Sequence, residues 1–193
     1  PPPMDQCGDG VLGPNLCLVP TDPVPFPIMP NRVATGDIDG DGAEDIVAVD
    51  GSTLSVSRLI DGEWTHDTIA TSTPFSDLVV HDLFGVGRAQ IVLRGDLGEL
   101  IEWNGSSLSA MPLDVGLMGA RYAAADTDEG PRLVAGDGTT LLVGELLPGG
   151  MWVEEHATMF TAGWLMAGRF STEPLGPIDV ADLSLPGVVG ILG

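Results

Sequence analysis

The chain repeats itself, and that constrains its fold more than any other feature of its 193 residues. The stretch Val33-Ala-Thr-Gly-Asp-Ile-Asp-Gly-Asp-Gly-Ala-Glu-Asp-Ile-Val has degenerate echoes beginning near Val79, Ala123 and Leu165. Anchored on Asp37, Asp82, Asp126 and Arg169, the copies step by 45, 44 and 43 residues. Four copies at near-constant spacing mark a repeat architecture.

Within the first copy, residues 32–36 lead into an acidic loop and residues 46–49 leave it as a short apolar run. Asp50-Gly51 signals a turn, residues 53–60 alternate as a half-buried strand does, Asp61-Gly62 turns again, and residues 64–70 make a fourth strand. Asn104-Gly105, Asp137-Gly138 and Pro148-Gly-Gly150 punctuate the later copies, because such turns need positive φ. With 27 Gly, 16 Pro and only 5% aromatic residues, short strands and tight turns are expected rather than long helices. The expected fold class is therefore all-β, and four strands per repeat of this length is the arithmetic of a β-propeller blade. Four blades of four antiparallel strands would make up the chain.

The Asp-x-Asp-Gly-Asp-Gly-x-x-Asp loop at 37–45, the Phe84-Gly85 pair and the period resemble the FG-GAP/VCBS repeat family, whose best-known members are the propellers of integrin α-subunits. The resemblance covers about residues 30–193. It implies a calcium loop and a propeller domain over 18–193, with blades at about 31–72, 75–115, 119–160 and 163–193. Residues 1–17 would form an N-terminal linker.

Calcium takes six to eight oxygens in a flexible geometry. Carboxylates at Asp37, Asp39 and Asp41 converge if the chain curls, Gly40 and Gly42 permit the curl, and Asp45 supplies a fourth. The family pattern adds the backbone carbonyl of Ala43, while Glu44 points away. An EF-hand begins similarly, but its bidentate Glu would fall on Ala48, and its flanks would be helices. A solvated acidic turn without an ion is the competing reading. Five carboxylates within nine residues repel one another strongly unless a cation neutralises them. Magnesium suits the loop less, since it keeps its waters and takes fewer protein carboxylates. One bound Ca2+ is the expectation.

The other copies have lost ligands. Phe84, Val86 and Gln90 stand where copy two would need them. Copy three has Asp126, Asp128 and Glu129 but a loop two residues shorter with no closing carboxylate, which disfavours a second ion. In copy four Arg169 replaces the first aspartate, and its guanidinium is expected to supply the positive charge internally, paired with Glu173.

No catalytic constellation is evident. His66, His81 and His156 have no zinc-type spacing, and there is no Gly-x-Ser-x-Gly elbow. His81, beside Asp82, is expected to be a surface or hydrogen-bonded structural histidine. Trp64, Trp103, Trp152 and Trp164 are expected to pack rather than to form a sugar-stacking platform. Asn104-Gly-Ser106 fits a glycosylation sequon but reads better as a hairpin turn.

A formal charge of −21 argues against nucleic acid and anionic lipid as partners. No run of 18 apolar residues exists to span a membrane. Cys7 and Cys17 are expected to close a disulfide loop in an oxidising compartment, hence a secreted, cell-surface or periplasmic protein of bacterial export. The functional expectation is a non-enzymatic binding or scaffold module with an unknown protein or glycan partner. The alternatives are a carbohydrate-binding lectin and an accessory propeller domain of a larger secreted enzyme. Residues 18–28 are expected to supply the outer strand of copy four's blade, with 184–191 as its third strand. Thin Ala-, Gly- and Val-rich blades favour more than four around a ring, so two chains would join as an eight-bladed homodimer, against a four-bladed monomer or a proteolytic fragment. Light scattering separates the two by mass.

Overall fold

The computed structural model describes residues 24, 26–72, 74, 75, 77–95, 98–127, 129–159, 165–168, 179–182, 191 and 192. The expected disulfide between Cys7 and Cys17, most of the expected 18–28 strand, Asp128, Trp164, and the expected pairing of Arg169 with Glu173 lie outside the described residues.

Every described element is a β-strand. The first sheet comprises β1 (Arg32–Gly36), β2 (Asp45–Asp50), β3 (Thr53–Ile60) and β4 (Glu63–Ala70). The second comprises β5 (Asp77–His81), β6 (Gln90–Arg94), β7 (Gly98–Trp103) and β8 (Leu108–Leu113). The third comprises β9 (Arg121–Thr127), β10 (Gly130–Gly136), β11 (Thr140–Leu147) and β12 (Met151–Met159). Each is a four-stranded antiparallel meander in chain order. Three short strands, β13 (Leu165–Gly168), β14 (Asp179–Asp182) and β15 (Ile191–Leu192), form a last sheet in the same sense. The expected strand at 184–191 meets the structure only at Ile191, where β15 begins. Among the described residues no helix is long and apolar enough to cross a membrane.

Turn chemistry sets the registers. Asp61 and Gly62, with φ of 53° and 83°, form the two-residue hairpin that pairs Ile60 with Glu63. The preceding hairpin sits one residue later than its Asp-Gly signal, because Asp50 pairs with Thr53 and leaves Gly51 and Ser52 as the loop. Asn104 works as a turn residue, its Oδ1 accepting the N–H groups of Ser106 and Ser107.

The sheets stack face to face. Val47, Val49, Leu54 and Val56 of the first sheet meet Ile91, Leu93 and Ile101 of the second in one apolar layer. On its other face the second sheet presents Val92, Leu100 and Leu113 to Tyr122, Leu133 and Leu146 of the third. Strand β6 therefore faces apolar surroundings on both sides, which explains its unbroken Ile91-Val92-Leu93 run. The first strands lie side by side: β5 packs against both β1 and β9, and β9 also packs against β13. This brings the β1–β2, β5–β6 and β9–β10 connections to one end of the stack.

Candidate metal centre

Residues 37–44 connect β1 to β2 and curl around the Asp37 carboxylate. Asp37 Oδ1 accepts the N–H of Gly40 at 2.7 Å and of Asp41 at 3.1 Å, and its Oδ2 accepts the N–H of Gly42 at 2.8 Å. The curl passes through Gly40 and Gly42 at φ of 82° and 88°, a region that carries little strain only for glycine. Across the loop, Asp45 Oδ2 accepts the Ile38 N–H at 2.9 Å, and Ile38 itself is fully buried.

Carboxylate oxygens of Asp37, Asp39 and Asp45 lie within 4.8 Å of one another. Asp41 stands outside this group, its Oδ1 accepting the Ala43 N–H at 2.8 Å. Asp45 is only 3% exposed. Burial first, and the neighbouring charges of Asp39 and Asp41 after it, push its carboxyl up to about 6, against the pull of the Ile38 N–H and of Arg58. A carboxylate placed there is held at a disadvantage until a cation joins it. Arg58 supplies part of that charge: its Nη1 lies 3.0 Å from Asp39 Oδ2, and its Nη2 binds Asp67. Sequence reasoning missed Arg58, which is 19 residues from Asp39 and reaches it only through the β2–β3 register.

The β5–β6 connection has the same length and course. Asp82 Oδ1 accepts the N–H four residues on, from Val86, and Oδ2 the N–H five residues on, from Gly87. Asp37 accepts from Asp41 and Gly42 in the same way. Gly85 and Gly87 take φ of 65° and 76°. At the closing position Gln90 replaces Asp45 and is equally buried at 3% exposure. Its Oε1 accepts the Phe84 N–H at 3.1 Å, and its Nε2 donates to the Arg88 carbonyl at 2.8 Å. The Arg88 carbonyl corresponds, 45 residues on, to the Ala43 carbonyl of the first loop. In the second loop an amide thus donates to the Arg88 carbonyl, a donor that the Asp45 carboxylate of the first loop lacks.

The third connection is a tight turn instead, with Thr127 paired to Gly130. Asp126 Oδ1 lies 3.1 Å from His81 Nε2, and Glu129 faces Arg132 at 3.5 Å, so these two carboxylates serve different partners and do not converge. Arg132, buried at the position of Asp45 and Gln90, binds Glu155 at 2.6 Å. His66 Nδ1 shares a hydrogen bond of 2.8 Å with the buried Ser57 hydroxyl. Between the first two loops lies an open cleft of about 520 Å3 walled by Asp37, Glu44, His81 and Asp82.

No protein-family model matches the chain, and no curated protein matches it in sequence.

Proposed function

We propose that this chain is an exported, non-enzymatic binding or scaffold module of the β-propeller type, and that one calcium ion pins its first loop. The observation that carries the reading is the pairing of the two equal loops. Where the closing residue is Gln90, its neutral amide satisfies both an N–H and a carbonyl. Where it is Asp45, a buried carboxylate stands within 4.8 Å of two others and offers no donor to the Ala43 carbonyl. A hard cation with several oxygen sites satisfies such a set. Asp37, Asp39 and Asp45 would be its carboxylate ligands and Ala43 its carbonyl ligand, with Asp41 joining by giving up its bond to the Ala43 N–H.

The propeller reading draws support from three sheets of one strand order whose first strands lie side by side. The tryptophans lend the lectin alternative little. Trp103 lies beneath the Arg58 guanidinium, Trp152 packs in the second apolar layer, and Trp64 is half-buried. The test is thermal unfolding in calcium, in magnesium and in chelator. For a site of order 10⁻⁴ M at millimolar calcium, the ion adds ~1–2 kcal/mol, so calcium should raise Tm by a few degrees and magnesium much less. Coincident curves in calcium and chelator would refute the site.

A further inference from the structure

We infer that Arg58 is a resident cation of the 37–45 loop, a counter-ion that holds Asp39 in the metal-free state and competes with a divalent ion for it. This rests on the calcium reading above and adds to it a determinant of affinity outside the loop.

Arg58 projects from β3 with its side chain 12% exposed, caught between Asp39 and Asp67. The guanidinium carbon lies 4.1 Å from the centre of the Trp103 ring, so the second sheet supports it from behind. Burial alone would lower its pKa, but hydrogen bonds to Asp67 and Asp39 outweigh that and hold it above the ordinary value. It is a fixed positive charge.

Equivalent positions in the other sheets show what that charge answers to. Ile46 pairs with Ser57, Ile91 with Ile101 and Leu133 with Gly144, so the next residue along each third strand is Arg58, Glu102 and Glu145. The adjoining second-strand entries differ in sign to match. The first sheet has the acidic loop, the second has Arg88, whose charge is felt by Glu102, and the third has the buried Arg132. The third-strand position thus carries the charge opposite to its connection in the first two sheets, whereas in the third Arg132 turns to Glu155 and Glu129. Arg58, with Arg88 lying against Gly40, still leaves the five carboxylates of the first loop in excess and able to attract a divalent ion. That ion, drawn to Asp39, would sit beside the guanidinium. Repulsion between a double and a single charge at such range outweighs what one partly exposed hydrogen bond contributes to ordering Asp39.

The experiment is calorimetric titration of calcium into the full chain and into Arg58→Met, Arg58→Gln and Arg58→Lys. Methionine keeps apolar packing on Trp103, glutamine keeps a polar but neutral side chain, and lysine keeps the charge. Removing the charge should tighten calcium binding by about tenfold or more in Met and Gln, while Lys stays near wild type. A merely structural arginine predicts the opposite sign. Wild type that binds calcium, with neutral variants equal or weaker, overturns the role of Arg58 and leaves the calcium reading standing. Binding by the neutral variants alone keeps Arg58 as the resident cation and refutes calcium in the wild-type chain. Binding by none refutes both.

Discussion

Asp45 and Gln90 stand at one position in two loops of equal length, but they bind their loops differently, Asp45 seven residues back and Gln90 six. Each is buried, and each accepts a backbone N–H, from Ile38 and Phe84 respectively. Only Gln90 returns a proton donor to the loop's own carbonyl. Asp45→Gln should therefore transplant the metal-free solution into the first loop. In chelator the variant should unfold ~2–4 °C above wild type, worth about 1 kcal/mol, and calcium should no longer shift it. A variant that melts well below wild type in chelator would show that the two positions are not equivalent. Sequence alone identified the acidic residues, because alternating carboxylates and glycines are a local pattern. Arg58 was not legible, since its approach to Asp39 depends on how β2 and β3 align, and its seat on Trp103 depends on a second sheet. Nor was the separation of Asp41 from the other three, which comes from its own bond to the Ala43 N–H.

Among the elements, β3 was readable to the residue, while β2 and β4 run one residue beyond their expected bounds at the turns. The pairing of β3 matches the expected bounds Thr53–Ile60, but its burial does not alternate as expected, because Leu54, Ser55, Val56 and Ser57 are all buried. The hairpin before it slipped by one residue, because Gly51 takes positive φ as the first loop residue rather than the second. The close approach of neighbouring sheets left a subtler mark, a glycine closing β1. A Cβ built on Gly36 would stand 2.4 Å from Val80 Cγ1 on β5, with backbone and branched side chain both unable to retreat. Gly36→Ala should destabilise the fold by about 1–3 kcal/mol, equally in calcium and in chelator, because it parts the strands rather than the ion's ligands. Chemical denaturation measures this, and an unchanged midpoint would mean that β1 and β5 do not meet as described.

For the molecule as a whole, stacking makes each sheet's stability depend on its neighbours, and the second sheet, faced on both sides, is the middle of that dependence. The first loop is tied into it twice: the Asp37 carbonyl accepts the Ala89 N–H at 2.6 Å, and the Arg88 side chain lies against Gly40 while its Nη1 donates to the Trp103 carbonyl. An ion bound between residues 37 and 45 would thus brace the contact between two sheets as well as one loop. Equilibrium dialysis against calcium at millimolar concentration, with the protein counted per 20.0 kDa chain, tests this account most directly. Wild type should retain one calcium per chain, in excess of a magnesium-only control, and Asp45→Gln should retain none. No calcium on the wild-type chain, or the same amount on both proteins, would contradict the account.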